Sequence, residues 1–239
     1  MREANGNEVR GYREGKIPEA TVQRLSIYLR YVTQLHREEV KVVSSYALSK
    51  GCGVKAAQVR KDFAYFGELG VRGVGYYVSD LYADLKKILG LEHVWEVALV
   101  GAGHLGSALT AYRGFEEYGF TISAIFDLHP ELLPAALHER RMVHPVEQLR
   151  EIVSRQKIRI AILAVPAAAA QAAVDELIEA GVKAILNFAP ARLEGPPGVK
   201  IRNVDLAVDL GVLSFFVTGK NNSSVFEAKK TQDADNKRK

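Results

Sequence analysis

Val22, Leu25, Tyr28 (or Leu29), Val32 and Leu35 return every three to four residues. That spacing puts apolar side chains on one face of a helix. The helix starts at Ile17-Pro18, with Pro18 near its first position, and reaches about Glu38. Val40 to Val43 is a short extended link, and Ser44 or Ser45 caps a second helix, Tyr46 to Lys50, that stops at Gly51-Cys52-Gly53. A third helix runs from about Val54 to Phe66 with Val59, Phe63 and Phe66 as its apolar stripe. Gly67, Gly70, Gly73 and Gly75 then punctuate a turn-rich stretch around Val71-Arg72, and Tyr76-Tyr77-Val78 closes it as a strand. Helix, helix, turn, helix and glycine-rich wing predict a winged helix-turn-helix domain over residues 17–80.

The pattern changes after a connecting helix, Ser79 to Leu91. Strands are predicted over Val94–Val100, Thr121–Phe126, Ile158–Val165, Ala184–Phe188 and Val199–Val204. Helices are predicted between them, over Leu105–Tyr118, Val146–Arg155 and Ala167–Ala180. Strand alternating with helix implies a doubly wound parallel sheet of Rossmann type over residues 81–204, so the fold class is α/β. Leu206–Phe216 reads as a last apolar helix within residues 205–218, although Phe215-Phe216-Val217 also fits an extended end. Residues 1–16 are polar, carry Gly6, Gly11 and Gly15, and predict a flexible arm. Residues 219–239, rich in Asn and Lys, predict a disordered tail.

The composition, 48% hydrophobic and 25% charged in 239 residues, is that of a soluble globular chain long enough for two cores. No apolar run reaches the roughly 18 residues of a membrane span, and Pro166 breaks the longest candidate. No signal-peptide core follows Met1, and the single Cys52 fits a reducing cytoplasm. Cys52 reads as a small helix-end residue without chemistry, and neither a membrane nor a metal is expected. Charge is unevenly placed. Residues 1–90 carry 15 Lys+Arg against 10 Asp+Glu, and residues 91–220 carry 12 against 15. A basic first domain suggests a polyanionic partner.

The candidate chemistry begins at Gly101-Ala102-Gly103-His104-Leu105-Gly106. Glycine motifs occur elsewhere, but Gly51–Ala56 follows a helix and Gly73-Val74-Gly75 leads into a strand. Only Gly101–Gly106 lies between a buried strand and a helix, the context in which it cradles a pyrophosphate. Asp127 closes the next strand, where a carboxylate accepts hydrogen bonds from a ribose diol and repels a 2′-phosphate. This favours NAD(H), although Asp127 also suits a turn before Pro130. Pro166 and Asn187-Phe188 end two further strands and are candidates for the nicotinamide side, or ordinary strand-to-helix loop residues. No catalytic set accompanies them. None of His36, His93, His104, His129, His138 and His144 ends a strand beside a carboxylate.

On the third helix, Lys55, Gln58 and Lys61 recur at three-residue spacing beside Arg60, with small Ala56 and Ala57 between. Lys and Arg reach guanine edges or phosphates, and Gln suits adenine edges. A solvated basic face is the plainer reading of the helix alone. The preceding helix-turn and the following wing turn the balance toward DNA, with Arg72 suited to a narrow minor groove.

Three blocks give the chain its resemblance to the Rex family of bacterial redox-sensing transcriptional repressors: Gln58-Val59-Arg60-Lys61-Asp62-Phe63-Ala64-Tyr65-Phe66-Gly67, Gly70-Val71-Arg72-Gly73-Val74-Gly75-Tyr76, and Val100–Gly106. Ile185-Leu186-Asn187-Phe188-Ala189-Pro190 and Asn203-Val204-Asp205 extend it, so that it covers roughly residues 17–216. The resemblance implies a homodimer with a swapped C-terminal helix on an inverted-repeat operator, released from double-stranded DNA by NADH, while NAD⁺ permits or favours binding. It implies that Gln58, Arg60 and Lys61 belong to the recognition helix and Arg72 to the wing. It also implies that Arg30, Tyr112 and Asp205 form a polar switch, for which ordinary salt bridging is the alternative. One position departs from the family: Leu206 stands where a Phe can face the nicotinamide. The expected function is a repressor sensing the NADH/NAD⁺ ratio, not an enzyme. An NAD-dependent oxidoreductase with a fused regulatory domain is the alternative, and a different nucleotide effector a third reading.

Overall fold

The computed structural model describes residues 17–133 and 143–218, so the arm, the tail and His138 lie outside the described residues. The chain divides into two compact units at Val94/Trp95.

The first unit contains α1 (Glu19–Arg37), β1 (Val42–Val43), α2 (Ser45–Cys52), α3 (Ala56–Phe63), β2 (Tyr76–Tyr77) and α4 (Val78–Ile88). Leu25, Tyr28 and Val32 of α1 meet Leu48 of α2, Val59 and Phe63 of α3, and Leu81 and Leu85 of α4 in one buried cluster. Tyr28 and Tyr76 each present a ring edge-on to Phe63, with centroids 5.4 and 5.1 Å away. The Ser44 hydroxyl accepts the Ala47 N–H at 3.0 Å, so Ser44 rather than Ser45 caps α2. β1 and β2 pair antiparallel, Val42 with Tyr77 and Val43 with Tyr76, and a bridge between Val71 and Gly75 forms the tip of the wing.

Two expectations change here. Val78 opens α4 instead of ending β2. The connecting helix, counted with the second domain from residue 81, belongs to the first unit, because Val78, Leu81 and Leu85 are fully buried in its core.

In the second unit a six-stranded sheet runs in the order β5-β4-β3-β6-β7-β8, every neighbouring pair parallel. Its strands are β3 (Trp95–Val100), β4 (Phe120–Asp127), β5 (Val143–Pro145), β6 (Ile160–Leu163), β7 (Ala184–Asn187) and β8 (Lys200–Asn203). This is the doubly wound order, with the switch of direction between β3 and β6. The helices are α5 (His104–Thr110), α6 (Gly114–Glu117), α7 (Leu149–Gln156), α8 (Ala167–Glu179) and α9 (Leu206–Thr218). Apolar clusters cover both faces of the sheet: Val100, Phe126 and Leu163 join α7 and α8, while Leu99, Ile125 and Ile162 lie in the other cluster.

The helix expected over Leu105–Tyr118 is interrupted at Ala111–Arg113. The Ala111 and Tyr112 amides donate three residues back, to Ala108 and Leu109, which tightens and ends α5. β5 is a three-residue edge strand missed in the sequence, and Val146–Gln148 forms a 3₁₀ turn before α7. α9 is helical to Thr218, so the extended end does not occur, and none of its residues is buried.

Candidate dinucleotide and DNA sites

The ends of the parallel strands assemble the first site. The Gly101 amide donates to the Phe126 carbonyl, Ala164 to Val100 and Phe188 to Leu163, each at 2.8 Å. These bonds continue the strand ladders and bring the glycine loop, Asp127, the Val165-Pro166 turn and Phe188 to one edge. Gly101 sits at φ +90, and a Cβ there would collide with the Ala164 carbonyl. At Gly106 a Cβ would strike the Gly101 carbonyl oxygen, so α5 can leave the loop this tightly only with glycine there. Outward from Gly103 the space is open. Ala102 is buried, whereas Gly103, His104 and Leu105 are exposed at the lip.

Asp127 is half-buried and joined to the loop: Oδ2 accepts the Ala102 N–H at 2.7 Å and Oδ1 accepts the His129 N–H at 3.0 Å. Its carboxylate therefore sits beside the glycine turn with acceptor capacity left for a diol. Pro166 caps α8 and is exposed, and Phe188 is half-buried against the Leu99 cluster. Asn187 is different. It is fully buried, its Oδ1 accepts from Ala189 N, and its Nδ2 donates to Ala189 O, Ala191 O and Asn203 Oδ1. Its side chain ties the ends of β7 and β8 together, which shapes the turn that presents Phe188 instead of offering a free amide.

The second site lies in the first unit. Lys61 and Arg60 are exposed on α3. Lys55 precedes α3 as its N-cap position, also exposed. Arg72 is exposed at the wing tip, and with Arg60, Ser45 and Gly73 it lines one groove of about 510 Å³. Arg60 Nη1 donates to Ser45 Oγ at 3.0 Å, which holds the guanidinium over the start of α2.

Gln58 departs from the expected base-reading row. Its Nε2 donates to Asp62 Oδ1 at 2.8 Å. Asp62, fully buried, also accepts Thr21 Oγ1 at 3.2 Å, Tyr28 Oη at 2.8 Å, and Arg24 through Nε at 2.6 Å and Nη2 at 2.7 Å. Burial alone would raise the Asp62 carboxyl pKa, but the hydrogen bonds from Arg24, Tyr28 and Gln58 outweigh it and hold the group below its ordinary value. Burial, reinforced by Asp62, pushes the Tyr28 phenol well up. Burial also pushes the Cys52 thiol up to about 11, so it is protonated and unreactive at neutral pH. The sequence reading overlooked this network. Its signal was a carboxylate three residues after Val59 and next to Phe63, inside the apolar stripe.

Of the expected switch residues, Arg30 is exposed on α1. Tyr112, 59% exposed, stands edge-on to Phe115. Asp205 Oδ1 accepts the N–H groups of Ala207 and Val208 at 3.0 and 3.1 Å, so this side chain caps α9.

Comparison with known proteins adds the family. A model of a DNA-binding protein N-terminus matches residues 16–64, and one of a CoA binding domain matches residues 92–191. Over 202 residues the chain is 52% identical to the redox-sensing transcriptional repressor Rex of Desulfitobacterium hafniense, covering 84% of this chain and 96% of the relative. The chain belongs to the Rex family. The Rex of Syntrophomonas wolfei is 52% identical over 206 residues, covering 86% of this chain and 98% of the relative. The structure resembles that of RSP, a Rex-family repressor, in complex with beta-NAD⁺ and operator DNA. The TM-score is 0.83 at 37% identity, covering 90% of this chain and 99% of that one. RSP in complex with beta-NADH gives a TM-score of 0.76 at 37% identity, covering 89% of this chain and all of the other. The Rossmann fold and the winged-helix arrangement of this Rex chain agree with both neighbours.

Proposed function

We propose that this chain represses transcription by holding an inverted-repeat operator through its first unit, and releases it when NADH occupies the second. One observation carries the reading: the Asp127 carboxylate is fixed to the glycine loop by Ala102, in a chain that also exposes Lys61, Arg60 and Arg72 on a winged helix. A dinucleotide fits this edge. The open space at Gly103 admits a pyrophosphate against the backbone, and Asp127 would receive the ribose hydroxyls and turn away a 2′-phosphate. The glycine loop, Asp127 and the Pro166 and Phe188 turns would together hold NADH or NAD⁺. When bound, the two differ by one charge on the nicotinamide, which is neutral in NADH and cationic in NAD⁺. The half-buried Phe188 ring, packed on the apolar cluster around Leu99, resists taking in an unpaired cation. NADH releases DNA only through a difference in its affinity for the two states of the protein.

The functional unit in this reading is a cytoplasmic homodimer. Leu210, Leu213 and Phe216 of α9 are 60–69% exposed, which leaves an apolar helix uncovered within one chain. A second copy would cover it, and an exchanged α9 would pair the two winged helices with the two halves of the operator. No turnover is assigned to the site. Arg30, Tyr112 and Asp205 are offered as the residues that relay occupancy.

Asp127→Ala is expected to weaken NADH at least tenfold, read by nicotinamide fluorescence, with operator affinity retained. Lys61→Ala is expected to do the converse. Unchanged NADH affinity in the Asp127 variant would remove the cofactor assignment, and steady turnover of simple alcohols or hydroxy acids would revive the oxidoreductase reading.

A further inference from the structure

The row Lys55, Gln58, Lys61 is not one surface. At 3.6 residues per turn, Val59, Asp62 and Phe63 define the inner face of α3, and Gln58 lies roughly 90° around from the centre of the outer face. Ala57, Arg60, Lys61 and Ala64 occupy that outer face and are exposed, whereas Gln58 is half-buried. Its amide reaches inward, toward α1, to a carboxylate that is itself completely buried. A hydrogen bond to a buried charge is stronger than one between neutral groups, so drawing Gln58 away would leave Asp62 short of a donor in a dry site.

Asp62 is the one buried charged residue among the described residues. Its two oxygens take Thr21, Arg24 and Tyr28 from α1 and Gln58 from its own helix. The bidentate Arg24 clasp fixes the rotation of α3 about its axis as well as its distance from α1, because a fork engages both oxygens in one plane. A slip of α3 would break several of these bonds together. The network therefore sets which side chains face outward.

We infer that Asp62 is the positioning residue of the recognition helix and that Gln58 belongs to its clamp instead of reading bases, leaving base selection on this helix to Lys61 and Arg60. The inference rests on the proposed reading that α3 is the helix that meets the operator. The clamp withholds an adenine-reading amide from the DNA while fixing the outward angle of Lys61.

The test is operator selection. The full chain and its Gln58→Ala, Lys61→Ala, Asp62→Asn and Asp62→Asn/Gln58→Ala variants would each select sites from a library randomised across one half-site, with anisotropy giving the affinities. If the wild type selects no site, the DNA reading itself fails, before any variant is compared. If it does select one, Gln58→Ala should keep the same base preferences and lose less affinity than Lys61→Ala. Lys61→Ala should lose tenfold or more and relax one position. Asp62→Asn should weaken binding at least tenfold and change preference at a position that reverts when Gln58 is also removed, a dependence that loss of stability alone does not create. Altered preferences in Gln58→Ala, or unchanged affinity and preferences in Asp62→Asn, would overturn the inference. Should Asp62→Asn not fold, Arg24→Lys replaces it in both arms, because it keeps the cation but loses the fork.

Discussion

Asp62 gathers five hydrogen bonds around a carboxylate with no exposure to water, which makes the first unit sensitive to acid in a defined direction. Its pKa is lower in the folded state than in the unfolded chain. The stability it contributes is therefore fully present above the unfolded carboxylate value of about 4, and is lost as pH falls through the folded value. Urea unfolding followed on the first unit from pH 6 to pH 3 should show a steeper loss for the wild type than for Asp62→Asn. Parallel slopes would mean that the network does not hold the charge. The same scale shows what the sequence made legible. The place of Asp127 beside the glycine turn was readable because it ends the strand that follows that turn. For Gln58 and Asn187, spacing does not reveal that their amides are already hydrogen-bonded within the fold. Asp62 was passed over as part of a basic helix, although its place between Val59 and Phe63 put it on the inner face.

At the scale of elements, periodicity located most helices and strands to within a few residues. It failed where tertiary pairing decided the matter. β5 has three residues, one of them Pro145, and exists through its ladder with β4, so no alternation announces it. α4 looked like a linker because its sequence neighbours the second unit, yet its apolar side is buried against α1. α5 stops after seven residues, where the chain shifts to i−3 bonds. Its packing on the loop supplies a prediction. Gly106→Ala puts a methyl group against the Gly101 carbonyl, where backbone must move. Forced overpacking of this kind costs about 1–3 kcal/mol. Thermal unfolding should show the second unit destabilised and titration should show NADH weakened at least tenfold, with operator binding preserved. A wild-type melting point and NADH affinity in this variant would contradict the loop geometry.

For the whole molecule, the sequence made both halves readable because each rests on local patterns, and family resemblance joined them. α9 is apolar except for Asp209, Ser214 and Thr218 and none of its residues is buried, so its partner cannot be read from one chain. If it is the dimer element, Leu213→Asp with Phe216→Asp should convert a dimer to a monomer in sedimentation at micromolar concentration. Operator affinity should fall at least a hundredfold as half-site cooperation is lost. A dimer that survives both charges would place the interface elsewhere. Coupling of the two units is read from binding to a labelled inverted-repeat operator while NADH is titrated at fixed NAD⁺ and fixed salt. The complex should dissociate as NADH rises, and NAD⁺ alone should leave it intact. An operator complex that persists at saturating NADH, or that both redox forms dissolve equally, would contradict that coupling.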